Sequence, residues 1–271
     1  MVLVRVHHGI LRSAHRGQSR VVGEFDGRVA VITGAASGMG AATAREMAAR
    51  GAVVCLVDRD VANAEAVAAE VGSDAVFIGD VSNSAFCSDT IDAVVERYGR
   101  IDVLVNAAGT IHRANSLGTS DDDWARVMGT NVDGVFYMSR AAVMHMIDAR
   151  AGAIVNFGSI WGGVASDGST AYCVSKGAVH QLTRAMALDH AEQGIRINAV
   201  APGEVRTPML SAERNFTPSE EQLQAVADAT IPMKRLAEPE EIAKVVVFLA
   251  SSDASYMTGE IVHVDAGYTA Q

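Results

Sequence analysis

Little in this chain suits a disulfide-stapled, metal-bound or membrane-embedded protein. Its 271 residues include only three cysteines, Cys55, Cys87 and Cys173. They are odd in number and form no C-x-x-C pair, which argues against a disulfide framework or zinc site and for a reducing compartment, the cytoplasm. Basic residues are outnumbered, 22 Lys and Arg against 32 Asp and Glu, for a formal net charge of -10. Nucleic-acid binding relies on clustered positive charge to displace counterions, so this balance disfavours it. No apolar run approaches the roughly eighteen residues of a membrane span. There is no internal repeat, no low-complexity tract and no sign of a second domain. What remains is a chain of 49% hydrophobic residues, long enough to bury one sizeable core.

The N-terminal stretch differs from the rest. Arg5, Arg12, Arg16 and Arg20 stand there with His7, His8 and His15, and no acid precedes Glu24. Such a run is a feature of transit peptides, but its helical face is poor and no clear cleavage pattern follows. Residues 1–23 are therefore read as a disordered basic extension, and 24–271 as one domain. The three histidines have no carboxylate or cysteine beside them, so no metal site is expected.

From Arg28 onward apolar strands alternate with helices. VAVIT, VVCLVD, AVFIGD, DVLVNAAG, AIVNFGS, RINAVAPG and EIVHVDAG read as seven strands. One long helix is expected from Asp122 to about Ala149, and a less regular segment between about Glu204 and Pro232. Alternation with apolar strands implies an α/β fold with a parallel sheet covered on both faces, doubly wound in the Rossmann manner. Ligands of such sheets bind beyond the carboxyl ends of the strands.

The first strand runs into a glycine-rich turn with Gly34, Gly38 and Gly40, then an amphipathic helix, then a strand ending at Asp58. Glycines there let a pyrophosphate approach backbone amides at the helix N-terminus, where partial positive charge collects. The spacing departs from G-x-G-x-x-G, but the strand, helix and later acid supply the context that a dinucleotide loop requires. A carboxylate at Asp58 suits ribose hydroxyls and repels a 2′-phosphate, which favours NAD. The adjacent Arg59 is a good phosphate partner and leaves NADP open.

Further along, Tyr172 and Lys176 are four residues apart on a predicted helix, and Ser159 ends the preceding strand. Residues at i and i+4 share a face. The ammonium is expected to lower the phenol from its ordinary value near ~10 toward the range useful for proton transfer. A packed ring beside a solvated lysine is the plainer alternative.

TGAASGMG at 33–40, Asp80 with Val81, NAAG at 106–109, Asn131, Ser159, Tyr172-x-x-x-Lys176 and PGEVRTPM from Pro202 together resemble the short-chain dehydrogenase/reductase family in its compact single-domain form. The resemblance runs from about Gly27 to the C-terminus. It implies reversible hydride transfer between a nicotinamide and the carbon of a secondary alcohol or ketone. Tyr172 would exchange the proton, Ser159 would bond the same oxygen, Lys176 would hold the nicotinamide ribose, and Asn131 would hold a water of a proton relay. Ser159 read as a turn cap and Asn131 as an ordinary buried amide are the alternatives. The loop residues Gly34, Ser37, Gly38, Met39 and Gly40 would contact the cofactor, with Asp58 and Arg59 at its ribose. Ser37 stands where relatives that prefer NADP often carry Lys or Arg. Asp80 and Val81 would hold the adenine. Asn106, Ala107, Ala108 and Gly109 would lie against the cofactor, or merely form a tight turn, and Pro202, Gly203, Val205 and Thr207 would contact the nicotinamide end.

By the same resemblance, residues 110–113, 160–167 and a substrate lid over about 204–232 would form the substrate pocket. Ile160, Trp161, Val164 and Met209 mixed with His112, Arg113 and Glu204 suit a medium-sized secondary alcohol, cyclic or hydroxylated. The family also implies a homotetramer. NADPH-dependent reduction of a 3-oxoacyl or other ketone is the second reading, and a nucleotide-sensing protein without turnover the third. An intact Ser159, Tyr172 and Lys176 argues against the last.

Overall fold

The computed structural model describes residues 23–214 and 216–270. The basic stretch assigned to residues 1–23 lies outside the described residues but for Gly23. Seven strands form a single parallel sheet in the order β3-β2-β1-β4-β5-β6-β7. They are β1 (Val29–Thr33), β2 (Val53–Asp58), β3 (Val76–Ile78), β4 (Val103–Asn106), β5 (Gly152–Phe157), β6 (Ile195–Pro202) and β7 (Ile261–Val264). The chain winds outward from β1 to β3, then returns to place β4 on the other side of β1. The doubly wound architecture expected from the alternation is present.

The strands are apolar at both parities because both faces are covered. Val31, Cys55, Val57, Leu104 and Ile154 face one layer, formed by α3 (Ser84–Tyr98), α5 (Gly134–Ala149) and α6 (Thr170–His190). Their strand neighbours Ala30, Ile32, Leu56, Val103 and Val155 face the other layer, formed by α1 (Gly38–Ala49), α2 (Val61–Val71) and α8 (Pro239–Ala250). No helix among the described residues is long and apolar enough to cross a membrane.

Two elements differ from the sequence expectation. The long helix is not uniform: α4 (Asp121–Met128) passes into a π-helical stretch at Gly129–Asp133 before α5 begins. A wider turn of this kind re-aims side chains, and it directs Asn131 into the interior, where it is fully buried. The segment expected to be irregular holds α7 (Glu220–Thr230). Its start is secured by a reciprocal pair of bonds, Ser219 accepting from the Gln222 amide while the Gln222 side chain accepts from the Ser219 amide.

Candidate active site

The carboxyl ends of β1 and β4 diverge where the winding reverses, and a cleft of about 370 Å³ opens there. Gly34, at the end of β1, has φ +66, and a Cβ on it would stand 2.7 Å from the Ala108 backbone. Only glycine lets the β1 and β4 turns approach so closely. A Cβ on Gly40 would run into the Gly34 carbonyl oxygen. Thr33 adds a bond across the same junction, its Oγ1 accepting from the amides of Ala107 and Ala108, each at 3.1 Å. Ser37 precedes α1 without a side-chain capping bond, so the first amides of this helix keep their donor capacity at the cleft.

Gly34, Ser37, Gly38, Met39, Gly40, Asp58, Arg59, Asp80, Val81, Ala107, Ala108, Gly109 and Thr207 all line the cleft. The Asp58 carboxylate is fixed at both oxygens, accepting from the Ala36 amide at 2.9 Å and the Asp60 amide at 3.0 Å. Asp60 also lines the cleft, so Arg59 is flanked by two carboxylates. Asp60 is a further functional residue, signalled in the sequence by the Asp-x-Asp pattern before a helix, and it caps α2 by accepting from the Asn63 amide. Asn106 is placed differently from expectation. Its amide donates to Ser139 and Asn156, both at 2.9 Å, under the sheet. It ties β4 to β5 and α5 and does not line the cleft.

A smaller cavity of about 70 Å³ adjoins the cleft, and Met39, Ile111, Thr207 and Met209 line both. Ser159, Ile160, Trp161, Tyr172, Arg113, Pro202, Gly203, Glu204 and Val205 also line it, with Gly158 and Leu210. Val164 does not reach it and is exposed. The Ser159 hydroxyl accepts from the Trp161 amide at 3.1 Å, so it caps the turn, and Ser159 shares the cavity wall with Tyr172. The backbone amide of Ser159 donates to Nε2 of buried His180 at 3.4 Å. Gly158 leaves room for that imidazole, since a Cβ there would strike it. Trp161 meets the Tyr172 ring edge-on, centroids 6.0 Å apart.

Tyr172 and Lys176 share the buried face of α6, but the expected electrostatics are reversed. Burial pushes the Tyr172 phenol up to about 12, opposed by the nearby Ser159 hydroxyl and Arg113 and helped by the Glu204 charge. Lys176 stands 5.6 Å from the ring centroid and donates to the Phe157 carbonyl at 2.7 Å. Burial lowers its own value to about 8. A dry site disfavours both charged forms, and this outweighs their spacing. Lys176 Nζ and Asn131 Oδ1 flank Gly109, at 3.7 and 3.6 Å from where a Cβ would stand. Asn131 bonds the Thr110 backbone in both directions at 2.8 Å and donates to Ser175 at 2.9 Å. Its amide thus anchors the segment after β4.

The segment over the cavity is held by charge. Glu213 accepts from His112 at 2.7 Å, from the Arg113 amide at 3.2 Å and from Arg126 at 2.5 Å. Arg113 in turn donates to the carbonyls of Ala212 and Met209. This clamp joins residues about a hundred apart in sequence, and no local pattern announces it.

A dinucleotide-type loop at the switch point of a doubly wound sheet, beside a serine, tyrosine and lysine cluster, defines a Rossmann-type oxidoreductase. Comparison with known proteins narrows the class. A family model described as enoyl-(acyl carrier protein) reductase matches residues 34–269. Meso-2,3-butanediol dehydrogenase of Serratia marcescens is 45% identical, the match covering 91% of this chain and 96% of the relative. Galactitol 2-dehydrogenase (L-tagatose-forming) of Cereibacter sphaeroides is 43% identical over 92% and 98%. The crystal structure of gox2181 superposes with a TM-score of 0.85 at 36% identity, covering 91% of this chain and 97% of that one. The chain belongs to the short-chain dehydrogenase/reductase family.

Proposed function

We propose that this protein is an NAD-dependent dehydrogenase that interconverts a hydroxylated secondary alcohol and its ketone. The observation that carries the reading is the Ser159 and Tyr172 pair on the wall of a small cavity that opens into the glycine-loop cleft. The cleft fits a dinucleotide: the start of α1 lacks a side-chain cap, Gly34 admits close backbone approach, and carboxylates flank the far end. Those carboxylates, Asp58 and Asp60, favour free ribose hydroxyls over a 2′-phosphate. When bound, the nicotinamide would supply or accept the hydride.

The chain's own groups handle the proton and the position. Tyr172, a neutral phenol at ordinary pH, gives its proton to a ketone oxygen in reduction and recovers it in oxidation. Ser159 bonds the same oxygen and stabilises the charge that develops on it. Lys176 lies at the Gly109 wall and would hold the nicotinamide ribose through its ammonium when the cofactor is bound. Asn131 keeps the Thr110 backbone in place. The relatives that act on butanediol, galactitol and D-threitol support an alcohol carrying further hydroxyls, and the assembly and compartment we assign are a cytoplasmic homotetramer.

The test is reduced-cofactor absorbance with NAD or NADP and a panel of secondary alcohols, diols and sugars at mildly alkaline pH. Turnover with NAD is expected. Turnover with NADP alone would transfer the selectivity to Arg59 and favour ketone reduction.

A further inference from the structure

The cavity beside Tyr172 holds a carboxylate that proton transfer does not use. Glu204 lines it together with Ser159, Trp161, Tyr172 and Arg113. Its backbone is anchored: the Glu204 carbonyl accepts from the Ala237 amide at 3.0 Å, and the buried Val205 forms a parallel bridge with Ala237. Arg113 is the nearby cation, yet its Nε and Nη2 are committed to the carbonyls of Ala212 and Met209. Among the described residues the Glu204 carboxylate has no hydrogen bond or ion pair. Burial pushes its carboxyl up, against the pull of Arg113 and Arg214. A carboxylate offers only acceptors, and keeping one partly buried on a cavity wall without a partner is costly unless a ligand brings a donor.

We propose that Glu204 accepts a hydrogen bond from a second substrate hydroxyl, next to the reacting carbinol, and so selects small vicinal diols and polyols. Ser159 and Tyr172 hold the reacting oxygen while Glu204 holds its neighbour, and the carbon skeleton lies along Ile160, Trp161 and Met209. The cavity is small, which brings the two anchors onto one short skeleton. A site built to bond a hydroxyl rejects the analogue that lacks it, because its own polar group is then left unpaired. The inference rests on the dehydrogenase reading above.

The experiment compares 2,3-butanediol with 2-butanol in two formats. In turnover with NAD, the ratio of kcat/KM for diol over monool should fall at least about tenfold in Glu204→Leu, the loss expected for one hydrogen bond to a charged acceptor, and less in Glu204→Gln. Calorimetric titration of the diol into NAD-saturated Tyr172→Phe, with and without Glu204→Leu, reads binding without chemistry, and circular dichroism verifies the fold. Weaker diol binding in the double variant by a similar factor is expected. An unchanged diol-to-monool ratio, or diol binding independent of Glu204, overturns the proposal. Diol binding that depends on Glu204 while neither alcohol is oxidised would support the Glu204 site and overturn the dehydrogenase reading instead.

Discussion

At the residue scale, burial governs the groups that surround the substrate cavity. The i, i+4 spacing of Tyr172 and Lys176 leads one to expect a charge pair, and α6 does turn both to its buried face. Desolvation then holds the phenol protonated and weakens the ammonium. Tyr172→Phe should therefore lower kcat by about 10²–10⁴-fold, the usual worth of a positioned proton donor, while NAD affinity from fluorescence titration stays within a few-fold. Full activity in that variant would remove Tyr172 from the mechanism. His180 offers a separate test. Burial, assisted by Arg184, Lys176 and His263, depresses it to about 4, below its ordinary value near 6.5. Between those two values the unfolded chain binds more protons than the folded one, so stability rises with pH through that window and is lost as pH falls toward 4. Urea midpoints measured between pH 4 and 7 should show this slope, and His180→Asn should flatten it. An equal slope in the variant would assign the acid sensitivity to other groups.

At the scale of elements, most β and α segments of the first half follow the expected boundaries within a residue or two, while β4 stops at Asn106, three residues before the end of DVLVNAAG. VAVIT, VVCLVD and the helix from Val61 to Val71 coincide with β1, β2 and α2. Each is set by a contiguous apolar pattern and an adjacent turn or cap. The π-helical stretch at Gly129–Asp133 is not legible that way, because the widened turn is supported by Asn131 bonding Thr110 and Ser175 from other elements. Helix α7 could have been found: the Ser-x-x-Gln pattern at Ser219 and Gln222 is a capping box in plain sequence. Replacing Ser219 with Ala should cost the helix about 1 kcal/mol. Amide exchange across Glu220–Thr230 should then quicken by about fivefold with little change in the global urea midpoint. Unchanged exchange would show that the cap is redundant with packing on Leu210 and Leu236.

At the scale of the whole molecule, the sheet places the glycine loop, the β4 turn and the Tyr172 helix at one edge of the structure, and leaves large apolar side chains such as Leu117, Met144 and Leu188 on the surface. A tetramer would cover surface of this kind, and sedimentation should give roughly four times the 28.4 kDa chain mass. A single species at monomer mass would overturn that assembly. Amino-acid order alone was enough to establish the alternating architecture, the dinucleotide-type loop with Asp58 and the Ser159, Tyr172 and Lys176 set, since each depends on residues close together in the chain. Folding in three dimensions determined the rest. Asn106 turns under the sheet because strand register sets which face a strand-end side chain takes. Glu213 reaches His112 and Arg126 across a long stretch of chain. Glu204 meets Tyr172 in one cavity and the tyrosine's proton is held more tightly than its spacing from Lys176 suggests, because desolvation is a property of everything packed around a group and of no single neighbour.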